Sequence, residues 1–196
     1  MMPSFLFALT AFAFVSSITP GPNNVMLMAS GANFGLKRTI PHALGITIGF
    51  SVMILLVGLG VMALFDRWPA LNMALKGISI AYLLWLAWKI ANAAGPSQGG
   101  DSLGRPMTFF EAALFQWVNP KAWTMILSAI ALYAPDRSMA AVLIIASIFG
   151  LVNLPTVSLW AIMGQGMQVW LSTPGRLRAF NWTMAGLLLA SLALMI

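Results

Sequence analysis

The chain has 196 residues, 60% hydrophobic and 7% charged, and its ten basic residues outnumber four acidic ones for a net charge of +6. That much apolar surface excludes a soluble domain. The lack of cysteine and the presence of a single histidine, His42, exclude disulfides, thiol redox chemistry and a zinc cluster.

Six apolar segments follow in chain order, at roughly 4–31, 39–65, 68–93, 108–134, 138–165 and 176–196, each close to the roughly 20 residues a spanning helix needs. The expected fold is an all-α integral membrane protein with six transmembrane helices. Met1–Ser17 superficially resembles a signal peptide. However, no basic residue precedes its apolar run, which continues into Thr19-Pro20-Gly21-Pro22-Asn23-Asn24, so it is read as the first half of a retained helix. The second segment carries no charge from Ala43 to Phe65, and none occurs between Arg137 and Arg176. Ala94–Met107, rich in Gly, Ser and Pro and carrying Asp101 and Arg105, reads as a linker (95–107) between repeat 1–94 and repeat 108–196 of one domain. Three spans per repeat make the second half start from the opposite side, so the halves form a 3+3 inverted repeat.

Basic residues set the orientation. Lys37, Arg38, Lys89, Arg105, Arg176 and Arg178 fall on one side, while the opposite loops hold only the neutral pairs Asp66-Arg67 and Asp136-Arg137. The linker is therefore expected in the cytoplasm and both termini in the periplasm. A re-entrant hairpin at Pro20 would instead put the N-terminus inside. The same spread of cations over loops and helix ends points to a lipid bilayer rather than nucleic acid as partner.

The first and fourth segments are each interrupted at proline, by Thr19-Pro20-Gly21-Pro22 and by Asn119-Pro120-Lys121. A proline inside a helix removes a donor and displaces the carbonyl four residues earlier, here those of Ser16, Ile18 and Gln116. Thr19-Pro20 and Asn119-Pro120 each read as a cap followed by a first-turn proline, so a new helix is expected to start there. Such starts present unpaired amides and about half a positive charge, and two of them related by inversion near the midplane suit a carboxylate. Lys121, which costs about 2.5–3.5 kcal/mol to insert, strengthens that reading. The ammonium of a small zwitterion would meet the freed carbonyls and Asn23, Asn24, Gln116 or Asn153. The alternative is a simple packing kink at each proline, and for Asn153 beside Pro155 the two readings are balanced.

Glu111 is the only acid within an apolar segment, a candidate for proton coupling or equally an interfacial partner of Lys76 or Arg105. His42 reads as interfacial. Gly31-Gly35 and Gly45-Gly49 have small-residue spacing that serves either packing inside one subunit or a homodimer. Metal export would need several intramembrane Asp, Glu or His ligands, and an ATP-driven pump a phosphate loop. Neither is present, and no cofactor is expected.

The run Ile18-Thr19-Pro20-Gly21-Pro22-Asn23-Asn24, the glycines Gly35, Gly45 and Gly49, the stretch Tyr82-Leu83-Leu84-Trp85-Leu86-Ala87-Trp88-Lys89 and Asn119-Pro120-Lys121 together resemble the lysine exporter superfamily. The likeness is closest to its homoserine and threonine exporter branch, which also holds cysteine and O-acetylserine exporters. It extends over essentially the whole chain, with a departure at Ser79, where relatives often have glycine. The resemblance implies a carrier, not an enzyme, that moves amino acids or close derivatives out of the bacterial cytoplasm across the inner membrane, coupled to protons. Only Glu111 is available to a basic side chain, which favours neutral substrates. A basic amino-acid or cation exporter of the same superfamily, and a structural membrane subunit, are the alternatives.

Overall fold

A computed structural model of the chain describes residues 2–61, 67–68, 70–93, 105–136 and 138–193, and every regular element among them is helical. Asp66, Asp101, Arg137 and positions 95–104 of the linker lie outside the described residues. In order, the helices are α1 (Met2–Ile18), α2 (Pro22–Phe34), α3 (Leu36–Leu56, extended by a π-helical turn Val57–Val61), α4 (Ala70–Ala91), α5 (Phe109–Val118), α6 (Pro120–Tyr133) and α7 (Met139–Gly166). A 3-10 turn, Trp170–Ser172, then leads to α8 (Pro174–Ala193). Among the described residues three stretches, within α3 and its π turn, α4 and α7, are long and apolar enough to cross a bilayer. The pair α1 and α2, bent by 55° at its junction, makes a fourth if counted as one span. The all-helical fold expected from composition is therefore what the described residues adopt, with three or four helical stretches able to span a bilayer.

Local sequence explains where the helices end. A residue before proline is pushed out of the helical region, and Gly21, before Pro22, is fully extended at φ −179° and ψ 177°. Consequently α2 opens at Pro22, where a missing N–H does no harm. Gly35, at φ 80°, makes the turn into α3 in a conformation that side chains rarely adopt. α5 opens on a capping box. The Thr108 hydroxyl accepts from the Glu111 amide at 3.2 Å, and the Glu111 carboxylate accepts from the Thr108 amide at 2.8 Å. Asn119, extended at φ −91° and ψ 107°, caps α6 by accepting from the Lys121 amide at 3.1 Å.

Glycines set which helices touch backbone to backbone. A Cβ on Gly31 or Gly164 would collide with the carbonyl of Ala161 or Met28, so α2 and α7 pack without side chains between them. Gly45 and Gly49 do the same for α3 against Phe109 and Ala113 of α5. Gly31, Gly45 and Gly49 thus serve packing inside one chain. α3 and α1 also lie on α7, and α4 lies on α8. A buried amide pair ties α2 to α8, with Asn33 and Asn181 exchanging hydrogen bonds at 2.8 and 3.2 Å while Asn181 also donates to the Ala93 carbonyl. Two apolar cores result, one including Leu27, Ile46, Leu83 and Phe115, the other Leu9, Met53, Ile126 and Phe149.

Candidate functional site

The interruption between α1 and α2 faces the start of α6. The Lys121 ammonium donates to the Thr19 carbonyl at 2.7 Å, the Thr19 hydroxyl at 3.0 Å and the Pro20 carbonyl at 3.3 Å. Gly21 makes this possible, since a Cβ there would stand 2.6 Å from Lys121 Cδ. Lys121 is half-buried and has no carboxylate partner among the described residues. Its charge is therefore met only by neutral oxygens.

One turn further, Asn23 and Gln116 exchange a reciprocal pair of amide bonds at 2.8 and 3.2 Å, with Gln116 also donating to the Ala112 carbonyl. The amide of Asn24 donates to the carbonyls of Ser17 and Thr19 at 2.7 and 2.8 Å, holding the end of α1 and the interruption against α2. No side chain caps α2, so the first-turn amides keep no intrahelical partner.

These groups surround a cavity between the two cores, with Phe50 and Ala122 of one core and Val157 of the other in its wall. Ser16, Ser17, Asn23, Asn24, Asn119, Lys121 and Asn153 supply the polar lining. A water centre has about 20 Å³ to move in, room for a water or two. Two lining groups have no partner among the described residues, the buried Ser17 hydroxyl and the side chain of Asn153, which is 4% exposed. A buried polar group without a partner is destabilising by about 1–3 kcal/mol, so the Ser17 hydroxyl favours a polar occupant. Two helix starts, a cation and several amides converge here on one small polar space.

The placement corrects two expectations. Thr19 does not cap α2. Its hydroxyl turns back to donate to the Ser16 carbonyl at 3.0 Å, because Pro22 holds Gly21 extended and so moves the helix start to Pro22 rather than Pro20. Nor are the displaced carbonyls free. Ser16 accepts from Thr19, Ile18 from the Trp160 indole at 3.2 Å and Gln116 from the Asn119 amide at 3.3 Å. The exposed acceptors are instead those of Thr19 and Pro20, which Lys121 holds. Gly21, Pro22, Asn23, Asn24, Gln116, Asn119, Pro120, Lys121 and Asn153 do gather in one region, whereas Glu111 stands apart. Its carboxylate forms a fork with Arg105 at 2.5 and 2.7 Å, which raises the Arg105 pKa above its ordinary value, and Lys76 is exposed. Ser17, Phe50 and Trp160 escaped the sequence reading. Only the hydroxyl pair Ser16-Ser17 just ahead of the interruption could have signalled one of them.

The sequence model of the LysE type translocator family matches residues 14–196. The chain is 29% identical to a cysteine/O-acetylserine efflux protein of Klebsiella pneumoniae, over 96% of this chain and 95% of the relative. It is 28% identical to one from Salmonella typhimurium, over 86% of each. A protein of the same description from Escherichia coli is 32% identical over 62% of this chain and 61% of its own length. No solved structure matches. The chain belongs to the LysE type translocator family.

Proposed function

We propose that this LysE-type translocator exports small neutral amino acids or their derivatives, of the cysteine, O-acetylserine, threonine or homoserine kind, across the bacterial inner membrane in exchange for protons. The observation that carries the reading is Lys121, a cation held by neutral oxygens at the edge of a polar cavity. A substrate carboxylate is the counter-ion it lacks. The first-turn amides of α2 would add to the grip on that carboxylate. As Lys121 turns to it, the Thr19 and Pro20 carbonyls are released to accept from the substrate ammonium. The lysine thus occupies, within the protein, the place of the amino group it will exchange for. Asn153 and Ser17 would hold the polar part of the side chain. Among the described residues no carboxylate lines the cavity, so a basic side chain would be buried there uncompensated.

In this reading the two interruptions are related by inversion, each splitting the middle of a span within a six-span 3+3 repeat, with the linker cytoplasmic and the termini periplasmic. Space for a water or two is too little for an amino acid, so loading requires the cavity to widen, and the switch of Lys121 from carbonyls to carboxylate supplies a reason for it to do so. Glu111 enters only as the anchor of Arg105. The test is efflux of labelled amino acids from cells expressing the chain, with and without an uncoupler. Cysteine, O-acetylserine, threonine or homoserine should leave faster than from control cells, lysine and arginine should not, and the uncoupler should stop it. Preferential export of lysine would overturn the substrate class, and export that survives the uncoupler would remove the proton exchange.

A further inference from the structure

A second cavity lies at the other end of α2. It is larger, about 50 Å³ by the same measure, and Ser30, Asn33, His42, Lys89 and Arg105 are its polar or charged lining. Ser30 is bonded to Thr39 and Asn33 to Asn181 and the Ala29 carbonyl, and the Arg105 charge is met by Glu111. Two groups are left over. Lys89 stacks on Trp85 at 5.3 Å and has no carboxylate partner among the described residues. His42, only 1% exposed, has no hydrogen bond at Nδ1 or at Nε2 among the described residues.

An imidazole enclosed with neither nitrogen bonded is destabilising, and an apolar side chain of similar size would avoid the penalty. Beside an unpaired ammonium, it offers a donor and an acceptor. We infer that this cavity is a second binding site, an antechamber that takes the carboxylate of an α-amino acid on Lys89 and engages its backbone groups through His42. Met26, Leu86 and Ile90 in the wall give an aliphatic surface for a small side chain. The two cavities share α2. Asn23 lines the first and Ser30 the second, seven residues on, which is about 10 Å along a helix. The assignment rests on the export reading for its ligand class, and on the side taken as cytoplasmic for its place before the Lys121 cavity.

His42 is the only histidine in the chain, so isotope-labelled histidine in the full-length protein gives one imidazole NMR signal. Alanine, threonine and cysteine are titrated singly, with threonine methyl ester as the control that lacks a carboxylate. At least one amino acid should shift the signal saturably, and the ester should not. The shift should survive in Lys121→Met, which disables the first cavity, and its apparent Kd should rise at least tenfold in Lys89→Gln while staying within threefold in Lys89→Arg. No shift with any of the three, or an equal response to the ester, overturns the antechamber whatever the efflux assay gives. Loss of the shift in a folded Lys121→Met protein assigns the signal to the first cavity and overturns it as well. Were Lys89→Gln to fail to fold, the ester comparison and Lys89→Arg decide the matter alone.

Discussion

Lys121→Met removes the cation and keeps most of the side-chain volume. If Lys121 holds the substrate carboxylate, truncating one member of a desolvated charge pair is worth about 2–5 kcal/mol, and 3 kcal/mol corresponds to about a hundredfold. The protein itself has less to lose. Thr19 and Pro20, the donors' targets, are exposed and can find other partners, and removing a lysine from a span relieves about 2.5–3.5 kcal/mol of insertion cost. Export measured in inverted vesicles should therefore fall about a hundredfold or to background, with the amount of protein in the membrane, read by immunoblot, within twofold of the parent. Parent-like export from Lys121→Met at equal protein level would refute the role of this cation. A large drop in protein level would refute the account of its surroundings.

Asn153→Leu should reduce export at least tenfold while leaving thermal stability in detergent little changed, since the Asn153 side chain has no hydrogen-bond partner among the described residues to lose. Gly164→Ala sets a methyl against the Met28 carbonyl, which cannot move aside as a side chain can. It should destabilise by about 1–3 kcal/mol and reduce the monodisperse fraction on size-exclusion chromatography, whereas Gly77→Ala, with open space around it, should be neutral or stabilising by up to about 1 kcal/mol. Asn33→Ala and Asn181→Ala should each lower the melting temperature, and the double variant by less than their sum, as expected of one shared pair. Full additivity would mean the pair is not coupled.

The membrane class and the helical fold were legible because charge-free runs as long as Ala43–Phe65 have few other physical solutions. Much of the family was legible in the motifs around Pro20 and Asn119. The details of the site were not. That Gly21 rather than Thr19 precedes the first residue of α2 follows from two closely spaced prolines acting together. That Lys121 rests on Thr19 and Pro20, and that Asn23 meets Gln116, depends on contacts between residues about a hundred positions apart, which no local pattern encodes. His42 looked interfacial by position along its segment. Its burial comes from neighbouring helices, and its unpartnered nitrogens become visible only once Ser30 and Asn33 are seen bonded elsewhere.

The glycine contacts divide the molecule mechanically. Where backbone rests on backbone, as at Gly31 and Gly164 or at Gly45 and Gly49, sliding forces atoms into overlap, so α2 with α7 and α3 with α5 behave as rigid bodies. Asn153 rides on α7 and Asn23 on α2, which fixes that wall of the cavity. Lys121 rides on α6, joined to α5 through the single extended residue Asn119. The widening that the proposed export needs would therefore turn most readily at Asn119, with α6 as the wall that moves.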